Sequence, residues 1–347
     1  MASLERITSL GLLANAHAPL IDGIVQLLRQ QLFSCRVHYE EEEDDDDDDD
    51  DDDESACKWW NLLVSINGTA HALLRLQGTS LLPVFEEQLL PFMMAWLSTS
   101  TSPSTTAASL TFLSHLVESG GVAHANALIG PMRAALLDPD LGGTNDGPSD
   151  TDPTHDESHE AALYALGVVA QHAIGALPTA EIATIAERLG ALLQAPSARA
   201  TGRLAISRQA ATALGKLLLH RVDGLDAPSH FALWFAWLPP ERVAVLDEET
   251  RVSLLALCGL LSTPRGLSHV LGADGANLPQ LLAVIAGVHG SSEAGEELST
   301  ALERLVRDWQ TGNPPLWQVC QSAFPRIRQE QPGLHDKLKG LFPCLAD

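Results

Sequence analysis

The sequence predicts an all-α fold, an α-α superhelix of stacked helical hairpins. Three observations carry that prediction. Leu and Ala dominate the composition while aromatic residues make up only 5% of it. Runs that alternate β-branched or aromatic residues with polar ones, as strands require, are nearly absent. Segment after segment shows apolar residues at helical spacing, each about 15 to 20 residues long and broken by Pro, Gly, Ser or Asp. A helix cannot hide its apolar stripe by itself, so a long succession of such helices with short breaks asks for stacking on neighbours.

In chain order, the first helices are expected at Ala2–Ala16 and Pro19–Val37, followed by Lys58–Leu76 and Leu81–Leu97. Thr105–Glu118 and Val122–Leu137 come next, separated by the Gly120-Gly121 break, and then Glu157–His172. That last helix, ESHEAALYALGVVAQH, places Ala161, Leu163, Ala165, Leu166, Val168, Val169 and Ala170 between polar ends. Its small residues let neighbouring helices approach closely, which is what a solenoid asks of the inner, second helix of a hairpin. Further helices are expected at Thr179–Gln194, Ala205–His220, Ser229–Trp237, Glu241–Leu261, Leu278–Val288, Glu293–Gln310, Pro315–Ala323 and Gly333–Leu341. A helix pair every 40 or so residues is the period of HEAT and armadillo arrays, and about seven hairpins fit the chain.

Two segments interrupt the array. Glu40 to Glu54 (EEEEDDDDDDDDDDE) is a block of like charge that repels itself and has no apolar area to bury, so it reads as a disordered, extended loop. Leu141 to Asp156 is rich in Gly, Pro, Asp, Ser and Thr and reads as a second flexible insertion. The domain reading is a first HEAT-like hairpin at 1–39, a disordered acidic loop at 40–56, and a continuing array at 57–347 with the insertion at 141–156.

The net charge of -24 is concentrated in that run, which holds fifteen of the 45 acidic residues; the remainder faces 21 basic residues. A body that is mildly acidic lacks the basic face by which proteins neutralise phosphates, so direct nucleic-acid binding is not expected. The five cysteines are scattered without a CxxC pair, which suggests neither a disulfide framework nor a structural zinc site and fits a reducing compartment. LLPVFEEQLLPFMMAWL carries Glu86 and Glu87, and no 18-residue apolar run occurs, so membrane insertion is not expected. The Asn67-Gly68-Thr69 sequon reads as chance.

No phosphate-binding loop, dinucleotide fingerprint or nucleophile elbow is present, and the chain does not read as an enzyme; no cofactor is expected. The acidic run, with Glu40, Glu41, Glu42, Glu43, Asp44, Asp53 and Glu54 among its members, has two readings: a long-range lure for a basic partner, or a solvated insert. It has no fixed geometry for Mg²⁺ or Ca²⁺. His155 and His159 are four apart, but HDESH matches no zinc motif, and they read as surface histidines rather than as metal ligands. Trp234, Trp237 and Trp309 with Phe231 and Phe235 read first as core and second as pockets for phenylalanine side chains. The tandem Trp59-Trp60 cannot place both rings on one helical face, so at least one of them is exposed or touches a partner.

Several of these segments, in order, resemble the importin-beta (karyopherin-beta) superfamily, specifically its importin beta-3 branch. ESHEAALYALGVVAQH is one. LLPVFEEQLLPFMMAWL resembles a family helix with a Glu-Gln-Leu-Leu-Pro core, AATALGKLLLH its Ala-Leu-Gly-Lys run, and HFALWFAWLPP its Trp-Leu-Pro turn. VLGADGANLPQLLAVIAG is similar to its Val-Leu-Gly and Asn-Leu-Pro pattern through Leu271, Gly272, Asn277, Leu278 and Pro279. The resemblance runs along nearly the whole chain and corresponds to about the C-terminal third of family members. Where the family has a Val-Arg pair, this sequence has Ser158-His159.

The resemblance implies a HEAT-repeat superhelix and a nuclear import receptor, or the C-terminal portion of one. It implies basic protein cargo carrying nuclear localisation signals, the small GTPase Ran in its GTP form, and phenylalanine-glycine nucleoporins as partners. It also implies residence in cytoplasm and nucleus, including the nuclear envelope at pores. The alternative function is a HEAT-repeat interaction scaffold that does not transport.

Overall fold

The computed structural model describes residues 18–42, 53–99, 102–137, 153–220, 225–238, 248–272, 275–289, 294–330, 335–336, 338–339 and 342. Among them every regular element is helical, with no strand, and the architecture is the HEAT-type helical array that the periodicity predicts. The chain forms two compact units, Met1–Pro178 with Arg199–Gln209, and Thr179–Ala198 with Ala210–Asp347.

The described residues of unit 1 up to His172 form three successive hairpins. The first joins α1 (Ala18–Glu42) to α2 (Asp53–Gln77). In α1 the residues Ile21, Ile24, Val25, Leu28, Leu32 and Cys35 are buried, a stripe at three- and four-residue steps, and α2 answers it with Leu63, Ile66, Ala70, Leu73 and Leu74. Each such Leu or Ile contributes about 1.5–3 kcal/mol through removal from water.

The first helix of the second hairpin is broken in two, α3 (Leu82–Gln88) and α4 (Leu90–Thr99), where the sequence predicts a single helix over Leu81–Leu97. The cause is Pro91, which has no N–H to give to the Glu87 carbonyl and whose ring crowds it. The ladder therefore restarts at Leu89, whose own N–H still reaches Phe85 O at 3.0 Å and whose carbonyl accepts from Phe92 N at 3.1 Å. The second helix of this hairpin is α5 (Pro103–Glu118), and the third hairpin pairs α6 (Ala125–Leu137) with α7 (Pro153–His172).

Helices α2, α5 and α7 pack side by side as one layer, and α1 packs on α3 in the other. The tightest packing is between α5 and α7. The sequence explains it: Ala107, Ala108 and Ser109 in α5 meet a helix in which Ala161, Ala162, Ala165 and Ala170 are buried, so the two backbones approach without large side chains between them. All seven apolar residues by which α7 is read as a close-packed inner helix are buried.

Unit 2 comprises α8 (Thr179–Gln194), the Ala210–His220 part of α9 (Leu204–His220), α10 (Ala227–Trp237), α11 (Glu248–Leu261), α12 (Pro264–Leu271), α13 (Leu278–Val288), α14 (Gly295–Gly312) and α15 (Pro314–Glu330). Around α10 the core carries an aromatic cluster: Phe231, Trp234 and Phe235 are buried with ring centroids 5.6 to 6.1 Å apart. Gly215 lets α9 pass against the Trp234 indole, where a Cβ would collide with Cζ2 at 2.7 Å. Trp237 Nε1 donates to the Leu193 carbonyl at 3.3 Å, and Trp309 is buried in α14.

Helix α12 is missing from the sequence expectation, although its start follows the usual chemistry. Thr263 caps it by accepting from Gly266 N at 3.1 Å, and Pro264 occupies the first turn, where a missing N–H costs nothing. Gly272 then ends it at φ 71°, a conformation that side chains resist. Beyond it, the buried Asn277 donates to Pro228 O at 2.7 Å and Val270 O at 2.8 Å, tying the loop to α10 and α12. The Gly272, Asn277 and Leu278 pattern read from the sequence thus has a structural role.

Two further boundaries differ. Glu40–Glu42 are the last residues of α1 and Asp53–Glu54 the first of α2, so both ends of the acidic run are helical; Glu43 to Asp52 lie outside the described residues. Residues 153–156, read as insertion, open α7. The expected helix Ala2–Ala16 lies outside the described residues, as does most of Gly333–Leu341. Among the described residues no single helix is long and apolar enough to cross a membrane.

Candidate functional site

A concavity in unit 1 lies over its layer of second helices, a groove of about 460 Å³. That volume falls within the span of about 300–1,000 Å³ typical of ligand sites. Helical spacing assembles it. From α2 come Trp60, Val64 and Asn67, at steps of four and three; from α5 come Ala107, Thr111 and His115, at steps of four. From α7 come Glu157, Glu160, Ala161 and Tyr164, and Gln209 reaches in from the first turns of α9. Alanines 107, 108 and 161 form a low floor, which is why the tight α5/α7 packing leaves room above it.

The groove is rich in acceptors. Asn67 is buried, and its amide Nδ2 donates to Ala108 O at 2.8 Å. That bond fixes the side chain and leaves Oδ1 as a buried acceptor with no hydrogen-bond partner among the described residues. Gln209 Oε1 is likewise buried without a partner among the described residues. A buried acceptor left unmatched costs about 1–3 kcal/mol, and both of these atoms are closed off from solvent. Glu157 and Glu160 add carboxylates, and no lysine or arginine is among the lining residues.

At one end His115 stacks on His71, with ring centroids 3.9 Å apart and planes 10° from parallel, and meets Tyr164 edge-on at 6.0 Å. Burial pushes the His115 pKa well below the ordinary histidine value, and the neighbouring His71 adds to the effect. Burial, with Arg75 second, lowers His71 as well. Neutral imidazoles are what allow two of them to stack, and His115 therefore brings no positive charge into the groove. His71, His115 and Glu118 also bring potential ligand atoms within 4.8 Å of one another. Rings in nearly parallel planes cannot both point a lone pair at one ion, so this cluster is a stacked pair flanked by a carboxylate, with His71 Nε2 3.6 Å from Glu118 Oε2.

The sequence-predicted positions separate here. Trp59 and Trp60 are both half-buried, and of the two only Trp60 lines the groove. Glu40, Glu41, Glu42, Asp53 and Glu54 are placed at helix ends, whereas Glu43 and Asp44 are outside the described residues. His159 is buried and His155 belongs to α7 rather than to a loop. Phe231, Trp234, Phe235 and Trp309 are core residues. Sequence reasoning missed Asn67, His115 and Gln209. The available signal for the first was the step from Trp60 through Val64 to Asn67 on one face of a helix. The thiols of Cys35, Cys258 and Cys320 are buried and free, each pushed by burial up to about 12.

Residues 3–99 match the family described as Importin repeat 6. The match spans α1 to α4 and includes Trp60, Val64 and Asn67. No curated protein matches the chain at a significant level. The family match supports membership of the importin-beta superfamily of HEAT-repeat proteins.

Proposed function

We propose that this chain is a nuclear import receptor of the importin beta-3 type, or a portion of one. In this reading it binds basic protein cargo, Ran in its GTP form and phenylalanine-glycine nucleoporins, and it works in cytoplasm, nucleus and nuclear pores. The observation that carries the reading is the importin-repeat match on a helical-repeat array. Members of that superfamily are transport receptors rather than enzymes.

The physical support is the character of the second-helix layer. Its groove is lined by two carboxylate residues and an aromatic wall, with no lining lysine or arginine. A basic segment is the complementary partner. The acidic run Glu40 to Glu54 adds an attraction that reaches about 8 Å at physiological ionic strength and steers such a partner towards α1 and α2. Ran in its GTP form releases cargo only if it binds one state of the array more tightly than the other; a swing from 1:99 to 99:1 needs about 5.5 kcal/mol of differential affinity.

The test is capture of the purified chain on immobilised Ran loaded with GTP or with GDP. Selective capture on the GTP form is expected. Equal capture on both, or capture on neither, sinks Ran-gated transport by this chain and leaves the interaction-scaffold reading in its place.

A further inference from the structure

Helix α1 buries one apolar stripe and leaves a second row of apolar residues uncovered. Leu20 and Leu27, two turns apart on one face, are 52% and 39% exposed. Gly23 lies between them, and a Cβ built there would meet nothing within 4 Å, so the row has a hollow at its centre. The opposite flank is already engaged: Arg29, about 200° around the helix from Leu27, donates from Nη1 to Gln88 Oε1 of α3 at 3.0 Å.

The chain itself supplies a matching stripe. Residues 2–16 lie outside the described residues, and His17 alone separates them from α1. Their sequence places Leu4, Ile7, Leu10, Gly11 and Ala14 at helical steps, with Glu5, Arg6 and Ser9 off that stripe. Antiparallel helices joined by so short a connection meet in a fixed register. Counted outward from His17, Ala14 comes opposite Leu20, Gly11 opposite Gly23 and Ile7 opposite Leu27. Leu20 meets a small residue, Leu27 meets a branched one, and the two glycines coincide, which lets the backbones approach closely.

We propose that the Leu20–Leu27 edge of α1 is a docking surface for residues 2–16 of the same chain, which fold back on it as an antiparallel helix in that register. A second copy of the chain is the weaker competitor for this edge. It must arrive at its working concentration, whereas a segment tethered through one residue is presented at an effective concentration on the order of millimolar. Docking in cis withdraws Leu20 and Leu27 from water and from other apolar surfaces. It is independent of what the second-helix groove binds.

The experiment is disulfide trapping in the full chain, since only side chains that face each other closely can be bridged. Ile7→Cys is combined with Leu27→Cys; in the control, Ser9→Cys, off the apolar stripe, is combined with Leu27→Cys. Leu27→Cys alone gives the background from the native cysteines, of which Cys35 in α1 is buried. Leu27 is exposed, so its replacement leaves the core intact, and thermal melts confirm that each variant folds. After mild oxidation in dilute solution, cleavage before Asp22 puts positions 7 and 27 on separate fragments. Mass spectrometry then distinguishes a bond within one chain from a bond between two. The expected result is an intrachain bond for the 7/27 pair, formed about tenfold more than for the 9/27 pair, which corresponds to a preference of about 1.4 kcal/mol. Equal yields from the two pairs mean that the segment only collides with α1, and overturn the proposal. Bonds between chains give the edge to a second copy and overturn it too, as does the absence of any bond at position 27 above background.

Discussion

In unit 1, α5 and α7 pack through Ala107, Ala108, Ala161, Ala162 and Ala165, and the same layer buries Asn67, Thr69, Ser109, Ser114 and His115. In unit 2, α10 packs through Phe231, Trp234 and Phe235, with a glycine in α9 making room. Small residues bring backbones together but fill little volume, so a groove and polar side chains persist above them. Large aromatic residues fill the space between helices themselves. The difference separates where the array holds itself together from where it has something left to offer a partner.

The comparison can be broken most severely at the aromatic side. Trp234→Ala removes the largest fully buried side chain and is expected to destabilise the protein by about 3–5 kcal/mol, read from denaturant midpoints. Gly215→Val tests the same contact from the other partner: its side chain would meet the indole, and overpacking of this kind costs about 1–3 kcal/mol. A Gly215→Val variant as stable as the unaltered chain would mean that α9 does not rest on Trp234.

On the small-residue side, Ala165→Leu should separate α7 from its neighbours at a cost of about 1–3 kcal/mol. A gain in stability would show the α5/α7 packing to be loose. Between the two in kind, Asn277→Ala leaves the carbonyls of Pro228 and Val270 without their buried donor and should cost about 1–3 kcal/mol, with the α12–α13 loop exchanging its amides faster.

The smallest effect is one of pH. The folded state holds His115 and His71 below the ordinary value of 6.5, so on acidification the unfolded chain takes up protons that the folded chain refuses. Stability contributed by these groups is full above 6.5 and declines as the pH falls below it. His115→Phe, which keeps a ring against Tyr164, should flatten the fall between pH 7 and pH 5 relative to the unaltered chain; an identical slope would remove the stacked pair as its cause.

The comparison also explains what the sequence could disclose. Helix α7 was legible because its buried residues are contiguous in sequence and fall at one period, from Ala161 to Ala170. The break at Leu89 was hidden because apolar residues continue on both sides of Pro91, and periodicity is insensitive to one missing hydrogen bond. Helix α12 is short, with Gly266 in its first turns, so it offers little pattern to read. Of the groove, only Trp60 was singled out in the sequence. Trp60, Thr111, Tyr164 and Gln209 come from four helices, and only the register of the hairpins brings them together. Asn67 looked like part of a chance sequon until its amide was seen to be fixed on Ala108.

The most direct test of the transport reading is the behaviour of the fluorescently labelled chain in permeabilised cells. It should concentrate at the nuclear rim and carry a basic cargo inward in the presence of Ran and GTP. A chain that leaves the rim dark and enters nuclei no faster than an inert protein of the same 37.1 kDa mass would contradict it.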